Sequence, residues 1–456
     1  MMATVVGRNH DSMDRSNGSC KVTAGLAVVG LVASWLAWIL LAQSIGDTAE
    51  EGLTDPQGKP FIYYVLHGLG ILATTSAGAV AAITGEFHRL SRSGRLCFWL
   101  LVGTAFTWAA ITYGPADYGS YKALGATGPF VWLSCIAFFA GMNRNAWQIL
   151  EPVIRCIAYL TAVLALYAIV KDHRVVTERW FSAPVYYMVL LMWFGGWTFL
   201  SSWKSRSWRL LLGCFPFVVF VMTTIITQTR SWFLMSILLL LGFLLVSRCS
   251  RHQQVRSRPK MLAVFCLLAL LFMMAGFVLK DNLSQSITAF EERALNDTRS
   301  GQYAEFFSQV PVSDLVIGRG PNGSWDWDGK DYQFFDNALL WTAFIGGLPT
   351  LVSYLVLIVF PGFKALKGGA TGDDGATAVL VVLWGLACTG FSTYTNPSLT
   401  SYSYLICLLA GRCAGFWAER GAVSVATAEI RSCWPTAVPQ KQRTAACHVS
   451  PNGGEA

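Results

Sequence analysis

The feature that most constrains this chain is a recurrence of apolar runs, each about as long as a bilayer is thick, interrupted once by a long polar stretch. A helix needs about 20 mostly apolar residues to cross hydrocarbon, because backbone N–H and C=O groups left unpaired there are not tolerated. That rule yields about twelve spans, at 22–43, 62–85, 96–114, 129–142, 152–170, 184–203, 210–228, 230–247, 261–279, 338–360, 376–392 and 399–417. The fourth is short, since Asn143, Arg144 and Asn145 interrupt its run. Hydrophobic residues make up 54% of the chain and charged residues 13%, too little polar surface to cover a soluble globule of 456 residues. The expected fold is therefore an all-α polytopic membrane protein, with one long loop between spans nine and ten.

Connecting charges set the orientation, because short loops rich in Lys and Arg stay in the cytoplasm. The groups around Arg89 and Arg92, Lys204 and Arg209, Arg251 and Arg258, and Lys364 and Lys367 alternate with loops of opposite character, including the acidic 46–60 segment and the stretch 280–337. The chain then divides into a cytoplasmic segment 1–21, spans one to nine over 22–279, an outer loop 280–337, spans ten to twelve over 338–417 and an irregular cytoplasmic tail 418–456. One connection resists: Lys171, His173, Arg174 and Arg179 fall outside by this count. Either the topology slips by one span there, or those cations face an anion.

No short apolar region with a small-residue cleavage site opens the chain, so its first apolar run is expected to stay as an anchor. The net charge of +8 is spread over loop clusters, with no basic stripe or nucleic-acid module, which argues against a nucleic-acid partner. Twelve cysteines form no CxxC pair and match no histidine pattern, which points to free thiols rather than a zinc site. No metal and no cofactor are expected.

Chemistry is sought at the outer face. Gln228, Thr229, Arg230 and Ser231 join the seventh and eighth spans, and there Arg230 either snorkels or uses its fork-shaped guanidinium on phosphate oxygens. Asn296 or Asp297 can start a helix carrying Arg299, Gln302 and Tyr303 on one face, with Phe306 and Phe307 toward the apolar side. Arg299 then either pairs with Glu291 or Glu305 or meets a ligand. Gly318-Arg319-Gly320-Pro321-Asn322-Gly323 matches GxGxxG, but Pro321 and the lack of a βαβ setting make it a tight turn. The run from Asp326 to Asp331 departs from calcium-loop spacing. Trp325 and Trp327 beside Asp326 and Asp328 suit a sugar, or an aromatic belt at the membrane surface. Asp336 and Asn337 open the tenth span, where Asp336 beside aromatic residues suits proton abstraction from a hydroxyl and either residue can cap the helix.

Thr229-Arg230-Ser231 opening a span, Arg299 on the long loop, the Pro311 to Gly320 turn, and Asp336-Asn337 before Gly346-Gly347 together resemble the O-antigen ligase and Wzy-type polysaccharide polymerase superfamily. The resemblance implies a GT-C-like integral glycosyltransferase of the bacterial inner membrane, with a catalytic periplasmic loop containing short helices. The implied donor is an undecaprenyl-diphosphate-linked oligosaccharide and the implied acceptor a hydroxyl, with Arg230 and Arg299 holding the diphosphate, Asp336 as base and inversion in one displacement without metal. Gln228, Gln302, Tyr303, Arg319, Trp325, Trp327 and Asn337 are the candidate substrate-binding residues. Ligases of this family place a histidine where this chain has Asp336, which favours a polymerase working with membrane lipid and a chain-length regulator. The alternatives are a ligase to lipid A core, a protein O-oligosaccharyltransferase, or a flippase without chemistry.

Overall fold

The computed structural model describes residues 3–48, 60–112, 129–171, 183–202, 207–227, 229–249, 298–327, 329–332, 337–389 and 398–433. The protein is mostly helical. Its elements in order are α1 (Ala3–Thr48), α2 (Phe61–Arg89), α3 (Arg92–Thr112), a 3-10 stretch Pro129–Ile136 leading into α4 (Ala137–Met142), α5 (Arg144–Lys171), α6 (Ala183–Ser201), α7 (Ser207–Ile226) and α8 (Arg230–Cys249). Then come α9 (Thr298–Gln309), α10 (Val312–Ile317), a hairpin of β1 (Trp325–Trp327) and β2 (Lys330–Tyr332), α11 (Ala338–Lys367), α12 (Gly372–Ala387) and α13 (Ser401–Cys433).

Eleven of the twelve expected spans fall on these helices, and the ninth, 261–279, lies outside the described residues. Among the described residues, six helices are long and apolar enough to cross a membrane: Gly18–Ser44 within α1, then α2, α3, α5, α6 and α11. Phe130–Met142, Leu212–Ile226 and Ser231–Val246 are shorter apolar helices. Three boundaries differ from expectation. Helix α1 already begins at Ala3, within the polar segment 1–21. Helix α11 runs on to Lys367, and α13 continues to Cys433, so 418–433 extend a helix rather than opening an irregular tail. The break after the fourth span has a cause: the Asn143 side chain accepts from the N–H groups of Asn145 and Ala146, each at 3.1 Å, and so caps α5.

Close helix packing comes from small residues. A Cβ on Gly141 or Gly411 would collide with the carbonyl oxygens of Leu408 and Phe138, so α4 and α13 touch backbone to backbone. The interior is aromatic: Trp193 and Trp384 meet at 4.7 Å, and Trp384 donates to the Tyr354 hydroxyl at 2.8 Å.

The two ends of the bundle differ in chemistry. At one end Arg412, only 5% exposed, is held by both oxygens of Asp374 at 2.8 and 3.2 Å and by Glu419 at 3.3 Å. Arg89 pairs there with Glu86 at 2.7 Å and lies 4.0 Å from Glu419. These pairs join the end of α2 to the start of α12 and the later turns of α13. At the other end sits a lobe made of α9, α10 and the hairpin.

The lobe is fastened by a break in α11. Pro349 has no N–H to give the carbonyl of Ile345 four residues earlier, and Gly347 departs from helical geometry at φ 81°, ψ 169°. The freed carbonyls of Phe344 and Ile345 accept from the backbone N–H groups of Arg319 at 2.7 Å and Gly320 at 3.0 Å. Gly318 has φ 93°, and a Cβ there would lie 2.7 Å from the Gly347 nitrogen; one on Gly347 would lie 2.5 Å from the Ile317 carbonyl oxygen. Each glycine thus makes room for the other's backbone. We expect Gly318→Ala and Gly347→Ala each to lower the melting temperature of the detergent-solubilised protein, at a cost of about 1–3 kcal/mol for strained backbone. Gly25→Ala, with open space around it, should leave the melting temperature unchanged or raise it.

Candidate functional site

The lobe begins with α9, where Thr298 is the first residue, close to the expected start at Asn296 or Asp297. Gln302 is buried and Tyr303 half-buried, and Phe306 is 1% exposed on the same face, so this is the inward side of the helix. Phe307, expected to share the apolar side, is instead 55% exposed. The inward face is centred on Gln302 and Phe306, four residues apart, and Phe307 lies about 100° round the helix from Phe306. Phe306 meets Trp325 edge-on at 5.3 Å and Phe344 at 5.4 Å, joining α9, the hairpin and α11.

The long loop therefore contains a two-stranded hairpin beside its short helices. Alternation sends Trp325 inward and Asp326 outward, as period two requires. Trp325 is 3% exposed and packed against Phe306, Trp327 and Tyr332, so neither of its faces is open to stack on a sugar. Trp327 is half-buried, with the edge of its ring over Gly301 of α9 at 3.7 Å from an ideal Cβ. The Asp326 carboxylate accepts from the Gly329 N–H at 2.8 Å, which closes the hairpin turn where an acidic metal loop was weighed. Asp328 lies outside the described residues.

Arg319 also differs from expectation. Its Nε donates to Asp314 at 2.6 Å, its Nη1 donates to the Ser324 carbonyl at 2.9 Å, and its guanidinium lies 5.7 Å from the Phe344 ring centroid. These contacts make it a brace for the docked turn rather than a substrate hand. Three positions that sequence reasoning missed share this work. Gln309 grips the edge of β1, donating to the Asp326 carbonyl at 3.0 Å and accepting from its N–H at 2.9 Å. Asp314 anchors Arg319. Trp108 of α3 lies against Gly320, where a Cβ would approach the indole to 2.5 Å. None carries a motif, since each is defined by the fold around it.

Asn337 ties the lobe to the bundle. Its side-chain oxygen accepts from the N–H groups of Leu339 and Leu340, each at 3.0 Å, and so caps α11. Its amide nitrogen donates to the Tyr303 hydroxyl and to the Thr389 carbonyl, each at 3.3 Å. The Leu339 N–H reaches the Cys388 carbonyl at 3.2 Å, so the start of α11 abuts the end of α12. Of the expected site residues, Tyr303 and Asn337 are thus brought into contact. Asp336, immediately before Asn337, lies outside the described residues, as does Gln228.

Arg230 and Arg299 are the first residue of α8 and the second of α9; their side chains are outside the described ones. Their helices place them at the same end of the bundle. Helix α8 runs antiparallel to α12, because Gly242 meets Val379 while Val246 lies beside Gly375. The start of α8 therefore shares an end with Thr389, which Asn337 links to α9. Thr229, just before Arg230, bonds to Thr227 at 3.1 Å and to the Met188 sulfur of α6 at 3.3 Å. Neither helix has an acidic residue in its first turn. A cation at the positive end of a helix dipole is an unfavourable placement that an anion relieves.

No family model matches this chain, and no curated protein or solved structure matches it. Its fold defines a mostly helical chain whose several long apolar helices suggest a multi-pass membrane protein. We expect Asn337→Ala to remove the cap and lower stability by about 1 kcal/mol. Asn337→Asp keeps the capping oxygen and can accept from the Tyr303 hydroxyl but loses the donation to the Thr389 carbonyl, so its melting temperature should fall less than that of Asn337→Ala.

Proposed function

We propose that the protein is a polysaccharide polymerase: an inverting, metal-independent glycosyltransferase acting at the outer leaflet of a bacterial inner membrane, with both termini cytoplasmic. It moves a glycan from undecaprenyl diphosphate onto a sugar hydroxyl of a second lipid-linked repeat unit. The observation that supports this reading best is the pair of arginines in the first turns of α8 and α9, with no acidic residue in either turn and both helix starts at the lobe end of the bundle. A diphosphate is the anion that such an arrangement accommodates.

In this reading Arg230 and Arg299 neutralise the diphosphate as it leaves, which is electrostatic catalysis by fixed cations. Asp336 takes the proton of the attacking hydroxyl. Tyr303 and Asn337 hold α9, which carries Arg299, against the start of α11. The hydroxyl attacks the anomeric carbon, the bond to the diphosphate oxygen breaks, and the configuration inverts.

A flippase without chemistry is the rival. Broken helices near the midplane often mark transport sites, because their freed carbonyls bind ions. The break in α11 does not fit that use, since Phe344 and Ile345 have given their carbonyls to the lobe.

Arg230→Ala and Arg299→Ala should each abolish long polymer, scored as glycan chain length on a gel at matched protein levels. Full-length polymer from both variants would refute the diphosphate clamp. For Asp336, loss of polymer in Asp336→Asn with partial return in Asp336→His is the expected pattern of a base; undiminished polymer in Asp336→Asn would leave it no catalytic role.

A further inference from the structure

Helix α10 is short and leaves apolar side chains exposed. Val312 is 74% exposed, Val316 46% and Ile317 71%, beside Phe307 of α9 at 55%. Between α10 and α11 lies a cleft of about 390 Å3. Its walls include Val312, Leu315 and Val316 on one side and Leu340, Ala343 and Leu348 on the other, and Asn337 supplies the polar group at one end. A water-filled cleft with such walls is unfavourable, and isolated patches of this size on soluble surfaces usually mark a partner.

What the partner is follows from the neighbouring surface. Helix α11 is one of the helices long and apolar enough to span a membrane, and its Leu348 and Val352 are 46% and 47% exposed. In a span, exposed leucine and valine face lipid. Leu348 both belongs to that exposed side and lines the cleft, so the cleft adjoins the lipid-facing side of α11. The other wall of the cleft is α10, whose last carbonyls, those of Val316 and Ile317, lie against Gly347 at the break in α11. Short helices with one apolar face at that level lie in the bilayer interface.

We infer that α10 lies in the membrane interface and that the cleft between α10 and α11 holds a hydrocarbon chain of a bilayer phospholipid, its head toward the Tyr303–Asn337–Thr389 contact. This does not depend on any reaction the protein performs. It rests only on the apolar walls, their adjacency to the membrane-facing side of α11 and the exposed apolar side chains of α10. The consequence is a lateral path in lipid that ends beside the polar tie between lobe and bundle.

The test is photocrosslinking of the full chain in nanodiscs made of a single phosphatidylcholine. p-Benzoylphenylalanine is placed at Val316 or at Leu340, and at the hairpin position Lys330 as a control. The expected result is a mass gain of one phospholipid at Val316 and Leu340 and none at Lys330. Filling the cleft with Ala343→Trp, or with Leu351→Trp if the first variant is not monodisperse, should reduce the adduct at Leu340 at least several-fold. An adduct formed at Val352, on the open face of α11, should be unchanged. Crosslinks from Val316 and Leu340 to residues 250–297 of the same chain would overturn the inference, as would the absence of lipid adducts there. So would a Leu340 adduct that a well-folded filled variant does not diminish.

Discussion

A long apolar helix that stops hydrogen-bonding to itself must find donors elsewhere, and that requirement organises the lobe end of this protein. Pro349 and Gly347 leave the carbonyls of Phe344 and Ile345 without partners inside α11. Two consecutive N–H groups, from Arg319 and Gly320, supply them. In lipid or against it, each unmet carbonyl would carry a penalty of roughly 1–3 kcal/mol, so the turn and the break stabilise each other. Everything else in the lobe can be traced from that contact. Arg319 is braced by Asp314 and by the face of Phe344, Gly320 lies against Trp108, and Phe306 wedges between the hairpin and Phe344.

The same contact gives the candidate site its rigidity. Helix α9 is held to the bundle at two points, through Phe306 below and through Tyr303 on Asn337. Asn337 in turn bridges the start of α11 and the end of α12. The opposite end of the bundle is secured differently, by ion pairs of the buried Arg412 and the partly exposed Arg89 with carboxylates on three helices. Breaking such a pair costs more than an exposed one, because the abandoned charge stays desolvated.

Much of this was legible beforehand, and for a clear reason. Length and apolar content mark spans, so helices lie at eleven of the expected positions, and the short fourth run was flagged by the asparagines that end it. The turn at Gly318 and the cap at Asn337 were equally readable, since left-handed backbone and helix starts each select a few residue types. What escaped was anything decided by a partner distant in sequence. Trp325 has the composition of a sugar platform and is buried by Phe306 and Tyr332. Arg319 looks like a ligand cation and is occupied by Asp314 and Ser324. Gln309, Asp314 and Trp108 have no local signature, and the helical reach of α13 to Cys433 overrode a composition that reads as irregular. The hairpin was missed because three-residue strands are too short for alternation to show.

The central claim is that the Gly318–Gly320 turn is a built part of the membrane domain and not a loop lying near it. Hydrogen exchange resolved to single amides, on the full chain in a bilayer mimic, tests it most directly. Slow exchange at Arg319 and Gly320, comparable to the amides of α11 just before the break, is the result required by their bonds to Phe344 and Ile345. Exchange at both amides as fast as in an unstructured peptide would mean that the helix break is not closed by the lobe, and the account of the site built on that closure would be wrong.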